Sequence, residues 1–230
     1  MKIAVFIICI LSSQLSVAQN KKSIVIHFYP SFHHQNIQLE NTWYHLSAND
    51  SILFETFKCY ISNISFYQND SLVFKEKNSY HLLDASEVST LQITIPLNAS
   101  IAFNSLHFNI GIDSATNTAG ALGGDMDPAK GMYWTWQSGY INLKLEGKSN
   151  LCTTHKHEFN FHLGGYMFPY CACQQVVLNT GETDDIAIEF PVDKFLEKID
   201  LSKQNSMMIP GKEALELSKT IAGLVIIQKH

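Results

Sequence analysis

Three histidines and three cysteines lie close together in the second half of the chain, and their side chains are donors that suit copper. They are Cys152, His155, His157, His162, Cys171 and Cys173. Thiolates favour Cu(I), and imidazole also suits copper. His155 and His157 alternate in phase, a spacing at which two imidazoles on a strand chelate one ion. The segment therefore suggests a metal site, although a His-x-His pair is also typical of a solvated strand face.

The cysteines allow a second interpretation. Cys9 lies in the N-terminal apolar run, which leaves Cys59, Cys152, Cys171 and Cys173 in the remainder of the chain. An even number of cysteines in an oxidising compartment predicts disulfides. Cys171 and Cys173 are poorly placed to pair with each other, which favours links to Cys152 and Cys59. Disulfides and a thiolate metal site both remain open from the sequence.

The N-terminus is typical of a secretory signal peptide. Lys2 precedes an apolar run from Ile3 to Leu11, and a small-x-small cleavage site ends at Ala18. We therefore expect a signal peptide at residues 1–18 and one mature domain at residues 19–230, either periplasmic or extracellular. No later segment has the roughly 20 apolar residues that cross a bilayer.

Composition and motifs exclude other classes of protein. The net charge of -5, without a basic stripe, argues against nucleic-acid binding. No nucleophile elbow, phosphate loop or zinc-protease helix is present, so we expect a binding protein and not an enzyme.

Asp113, Asp125 and Asp127 lie in a Gly-rich connection that would suit Ca²⁺. Their spacing is not that of an EF-hand, and turn formation also explains them.

Alternation of apolar and polar residues predicts the elements that must position these side chains. It predicts strands at Ile24–Phe28, Ile61–Tyr67, Leu72–Phe74, Leu91–Leu97, Leu106–Ile112, Tyr140–Leu145, Glu158–Leu163, Ile186–Phe190 and Ile221–Ile227. One or two short helices are expected at Val192–Ile199 and near Glu213–Leu217. The predicted fold is all-β: a single antiparallel β-sandwich-like domain. In the strand that begins at Glu158, His162 faces away from the apolar side.

Gly131 to Tyr140 is the most distinctive segment of the chain, with four aromatic residues in eight positions. In an extended conformation Trp134 and Trp136 point to the same side, with Met132 in line. An aromatic core cluster is the simplest explanation of this pattern.

Six motifs, in order and in register, resemble the MbnP-like copper-binding family over the region from Ile24 to the C-terminus. They are Tyr60–Ile64, His81–Asp84, Phe108–Asp113 with Asn117, Gly131–Tyr140, Lys144–Gly147 and Phe161–Gly165. Each motif is weak alone, but the set is specific.

The resemblance implies an exported β-sandwich protein of the methanobactin system that holds copper at a histidine site. It further implies that a tryptophan is oxidised to kynurenine by a partner dihaem enzyme. His162 matches a family histidine, and Trp134 and Trp136 occupy the tryptophan positions. The histidine near the first strand corresponds to His27, His33 or His34.

The sequence thus favours copper binding or delivery through His162 with an N-terminal imidazole or with His155 and His157. The alternative is an extracytoplasmic β-sandwich without metal, which binds a protein or ligand through its aromatic loop. Copper is the only cofactor expected.

Overall fold

The computed structural model describes residues 21–136 and 139–228, so the predicted signal peptide lies outside the described residues. Most of the described chain is β-structure. The strands are β1 (Lys21–Phe32), β2 (Gln35–Asn36), β3 (Trp43–Tyr44), β4 (Ile52–Gln68), β5 (Ser71–Lys75), β6 (Tyr80–Asp84), β7 (Gln92–Asn98), β8 (Ser105–Ile110), β9 (Tyr133–Trp134), β10 (Gly139–Ser149), β11 (Glu158–Gly164), β12 (Gln174–Asn179), β13 (Asp185–Pro191), β14 (Ser206–Met207) and β15 (Ile226–Ile227). The helices are α1 (Ser114–Ala119), α2 (Val192–Leu196) and α3 (Lys212–Leu224). Short 3-10 turns occupy Val88–Leu91, Gly124–Met126 and Pro128–Lys130.

The larger sheet is organised around β4. Its strand order is β12-β8-β4-β10-β11-β14, with β3, β5 and β6 also paired to β4 and β9 paired to β10. Most of these pairs are antiparallel, and the strands predicted at Ile61–Tyr67 and Leu72–Phe74 pair as a hairpin of β4 and β5. β11 and β14 run parallel, which departs from the purely antiparallel prediction.

The smaller sheet has the order β15-β13-β1-β2, with β7 on β1. β1 and β13 are parallel over seven residue pairs, from Val25↔Asp185 to Ser31↔Pro191, so this sheet is also mixed. Parallel neighbours need a long connection. The intervening strands of the larger sheet supply it here.

Aromatic side chains from the two sheets meet in one main core. The ring of Phe28 in β1 lies 5.9 Å from that of Phe108 in β8, and Phe57 in β4 lies 5.9 Å from Phe190 in β13. These rings are essentially inaccessible to water. Burial of each contributes on the order of 2–3 kcal/mol, so the core fixes the strands that carry the site.

A second cluster lies on the opposite face of the larger sheet. In β4, Cys59 and Ile61 point into the main core while Tyr60 points outward. The segment between β8 and β10 folds over this face. The outer cluster, as we call it, consists of Tyr60, Leu82, Ile112, Met126, Met132, Trp134, Tyr140 and Ile141.

The helices correct the sequence prediction in two places. The strand expected at Ile221–Ile227 is wrong over most of its length, because α3 continues to Leu224. Ala214, Leu217, Ser218 and Ile221 are its buried residues, a helical spacing that packs one face on the core. The connection from Asp113 to Lys130 contains α1, which was not predicted.

Within residues 21–136 and 139–228, no helix is both long enough and apolar enough to cross a bilayer.

Candidate functional site

His162 lies on the outer face of the larger sheet. Its neighbours Phe161 and Leu163 are fully buried in the main core, so strand alternation directs His162 to the other side. The residue is nevertheless only 6% exposed. Sequence reasoning predicted its direction but not its burial.

Glu146 holds the imidazole of His162. Strands β10 and β11 pair with Lys144 opposite His162. Glu146 lies two residues further along β10, on the same face as Lys144, and so comes next to His162. His162 Nε2 lies 2.7 Å from Glu146 Oε1, and Lys144 Nζ lies 3.5 Å from the same oxygen. The hydrogen bond from His162 is the main cause that lowers the pKa of Glu146 to about 2, against partial burial, which raises it. Glu146 is therefore a carboxylate at all but strongly acidic pH.

Trp134 lies on the same face, directly over Gly164. A Cβ atom at position 164 would come within 2.7 Å of Cζ3 of the Trp134 ring, so only glycine leaves room for the indole. Residues 162 and 164 point to the same side of β11, about 7 Å apart along the strand. His162 and the residue that Trp134 covers, Gly164, therefore lie on the same face of the larger sheet.

The two tryptophans differ sharply in exposure. Their ring centroids lie 5.8 Å apart at an interplanar angle of 46°. Trp134 is 6% exposed and belongs to the outer cluster, whereas Trp136 is 63% exposed. The buried indole supports the fold, and the exposed one is accessible to a reagent or partner.

Buried polar contacts fix the segment that carries Trp134. The amide of Asn117 in α1 accepts from the N–H of Tyr140 at 2.8 Å and donates to the carbonyl of Ile112 at 3.0 Å. Asp113 caps α1 by accepting from the N–H of Thr116 at 2.9 Å. Burial opposes ionisation of Asp113, but its hydrogen bonds lower its pKa overall.

The three aspartates considered for calcium have separate structural roles. Asp113 caps α1, Asp125 pairs with Lys130 at 2.9 Å, and Asp127 caps the 3-10 turn at Pro128–Lys130. Their contacts therefore favour turn formation as the explanation.

The other candidate histidines do not join His162. His27 lies in the smaller sheet, 3.4 Å from Asp185. His157 directs Nδ1 to the carbonyl of Cys152 at 2.8 Å and precedes β11, about 16 Å along the strand from His162. His155 is an exposed residue of the same loop.

His33 and His34 form a separate region, the histidine hairpin, which joins β1 to β2. Both adopt positive φ, 50° and 62°. His33 Nδ1 lies 3.1 Å from Asp193 Oδ2, and His34 Nδ1 lies 3.0 Å from Glu189 Oε1. Asp193 belongs to α2, which packs against the inner face of β11, so the hairpin and His162 lie on opposite sides of the larger sheet.

The predicted disulfides are not present, because all four cysteines are free. Cys59 pairs with Leu143 in β10, whereas Cys152 follows the far end of that strand, about 20 Å away. Burial raises the pKa of Cys59, Cys152 and Cys173. Cys171 and Cys173 lie in the segment before β12.

Within residues 21–136 and 139–228, no three His, Cys, Asp or Glu side chains converge as a metal cluster. The pairing of His162 with Glu146 does match the way in which proteins orient a metal-binding imidazole, since the second ring nitrogen of such a histidine usually contacts a carboxylate. The residues thus fit copper as a single oriented imidazole and not as a complete cage. Sequence reasoning missed Glu146, although its place two residues after Lys144 on a strand put it on the polar face.

Comparison with known proteins identifies the fold. Residues 21–209 match the model of the MbnP family. The chain belongs to the MbnP family. Among solved structures, MbnP from Methylosinus trichosporium matches with a TM-score of 0.58 and 12% identity, over 77% of this chain and 78% of that one. At this identity the likeness extends to the MbnP fold alone. No curated protein matches the chain.

Proposed function

We propose that this member of the MbnP family is an exported copper-binding or copper-delivery protein in which His162 is the copper ligand. The main support for this proposal is that His162, oriented by Glu146 at 2.7 Å, lies on the same face of the sheet as the Trp134–Trp136 pair. Family membership supports a copper-associated role. The protein would bind its cargo and not catalyse a reaction.

The described residues offer one imidazole at this position, and one imidazole holds copper weakly. We infer that copper arrives as a small chelate whose own donors complete the coordination. Both Cu(I) and Cu(II) bind imidazole nitrogen, and Glu146 would orient the His162 ring that offers this nitrogen.

Trp136 is the better candidate for oxidation to kynurenine. Its indole is 63% exposed, so a partner enzyme of the dihaem type could reach it, whereas Trp134 is enclosed in the outer cluster. Intact mass and peptide mapping of protein from its native compartment would test this. An unmodified chain, or modification at Trp134, would contradict the assignment.

Titration of the mature chain with copper, both alone and as the complex of a small chelator, tests the role of His162. We would use a background in which Cys171 and Cys173 are serine, so that thiols do not compete for the ion. His162→Ala should weaken copper binding at least as much as the roughly 10–100-fold loss seen when a supporting partner is removed. His27→Ala is the matched control, since His27 is also a strand imidazole beside a carboxylate. Equal effects in both variants would reject His162 as the ligand.

A second candidate function is recognition of a protein or ligand without metal. Three loops that meet near Gly164 and Gly165 expose Trp136 at 63%, Phe168 at 97% and Ile209 at 63%. Large apolar side chains exposed on neighbouring loops are consistent with an interaction site. Absence of saturable copper binding in the unmutated chain would favour this function.

A further inference from the structure

Cys171 and Cys173 flank Ala172 in the segment that leads into β12, and their burial alternates as in an extended chain. Ala172 between them is fully buried, while both cysteines are partly exposed. Because side chains alternate along an extended chain, the two thiols face away from the buried methyl group and toward the same side. The N–H of Ala172 donates to the carbonyl of Gly165 at 2.8 Å, which holds the segment in place.

The surroundings hold the backbone of this pair but leave the sulfurs without a covalent partner. Gln174 Nε2 donates to the carbonyls of Cys171 at 3.2 Å and Cys173 at 3.0 Å. Cys171 Sγ lies 3.8 Å from Ser114 Oγ at the start of α1. Cys59 and Cys152 belong to the main core, so neither competes as a partner.

The spacing of the pair suits an ion between the sulfurs better than a direct bond. Two residues of extended chain separate the Cα atoms by about 7 Å. Disulfides prefer a Cα separation of about 5.5–6 Å and a sulfur separation of about 2 Å. A metal ion with bonds of about 2.3 Å to each sulfur holds the two sulfurs about 4–4.5 Å apart. Thiolates are the ligands that select Cu(I).

We propose that Cys171 and Cys173 form a dithiol site for one Cu(I) ion, independent of His162. On binding, both S–H bonds break, two Cu–S bonds form and two protons leave to solvent, with no change in oxidation state.

Burial disfavours the thiolate form of Cys173 while the site is empty. Burial raises the pKa of Cys173 to about 12, and the neighbouring Cys171 and Asp113 add to this effect. A bound cation favours the thiolate forms instead, because its positive charge attracts both sulfurs and the carboxylate of Asp113. Thiols lose their protons when they become metal ligands, so copper binding should release close to two protons at neutral pH.

The test is an anaerobic Cu(I) titration of the reduced mature chain in the His162→Ala background, against a colorimetric Cu(I) chelator in weak buffer with a pH indicator. We expect one Cu(I) per chain with about two protons released per ion. C171S/C173S should abolish both signals, and Cys171→Ser alone should lower affinity at least 10-fold. Cys152→Ser is the control cysteine and should retain both. Circular dichroism first shows that each variant is folded.

Unchanged copper binding and proton release in C171S/C173S would overturn the proposal. So would native protein in which Cys171 and Cys173 are already joined, detected as a mass lower by two hydrogen atoms and a lower thiol count. The outcome is distinct from that for His162, because each site is titrated in a background that lacks the other.

Discussion

Two regions of this protein pair histidines with carboxylates, and they are built in opposite ways. In the His162 region the imidazole is the buried partner, 8% exposed, while Glu146 is 23% exposed. In the histidine hairpin the imidazoles of His33 and His34 are 55% and 74% exposed, and Asp193 and Glu189 are only 3% and 2% exposed.

The difference indicates what each pair does. A buried carboxylate is costly unless it is paired, so the hairpin imidazoles compensate a charge that the fold has buried. Ser31 adds a hydrogen bond of 2.6 Å to Glu189, whereas Asp193 Oδ1 has no partner. In the other region the carboxylate is partly hydrated and positions a sheltered imidazole. We infer that the hairpin stabilises the fold and that the His162 region is the one arranged for a ligand.

The largest effect is expected from the combined variant His33→Ala and His34→Ala. It removes the imidazole partners of two buried carboxylates, so the free energy of unfolding should fall by about 2–4 kcal/mol, the lower part of the range for broken buried pairs because the imidazoles are exposed. Urea denaturation followed by circular dichroism would measure this. The exposed His155→Ala should change stability by no more than about 0.5 kcal/mol.

The variant H33N/H34G separates pairing from backbone strain. Asn-Gly is the preferred sequence for a two-residue hairpin in which both residues have positive φ. If pairing matters, this variant should remain less stable than the parent protein despite its better turn. A gain in stability would show that the imidazoles are not needed by the carboxylates.

A smaller effect is expected from Glu146→Gln, which tests the other half of the comparison. Loss of the orienting carboxylate should weaken copper binding roughly 10–100-fold, as for supporting partners in other metal sites. The titration would use the serine background described above. Asp193→Asn is the matched change, because Asp193 is the carboxylate partner of His33 in the hairpin, and it should leave copper affinity unaltered. An equal loss of copper affinity in Asp193→Asn would remove the functional distinction between the two regions.

Local patterns explain why much of the larger sheet was predictable. The alternation in β11 gave both the strand and the outward direction of His162, because one face of it is buried in the main core. The run from Ile221 to Ile227 misled, since a short apolar run is compatible with a strand or a buried helix.

Long-range pairing explains what the sequence could not predict in the site. Glu146 meets His162 only through the register of β10 and β11, 16 residues apart. His33 meets Asp193 across 160 residues because β1 and β13 pair in parallel. Neither pairing leaves a local signal. Trp134 and His162 were both candidates from the sequence, but their common face depends on Gly164 accepting the indole ring.

Acid titration gives the smallest expected effect and examines the Glu146–His162 contact directly. The pKa of Glu146 is lowered from 4.5 to about 2 in the folded protein, chiefly by the hydrogen bond with His162. The ionised form is thus favoured by folding, so this stabilisation is complete above about pH 4.5 and is lost as the pH falls toward 2. After allowance for partial exposure we expect about 1–2 kcal/mol.

Unfolding free energies of the parent protein and of Glu146→Gln, compared from neutral pH downward, would show this as a difference that shrinks in acid. His162→Ala should remove most of the same acid-dependent portion, because it removes the main cause of the lowered pKa. The variants of His33 and His34 should retain this acid dependence, because those histidines contact Asp193 and Glu189 and not Glu146. If His162→Ala kept the full acid dependence, Glu146 would owe its low pKa to Thr56 and Lys144, and the imidazole would not be held as the comparison requires.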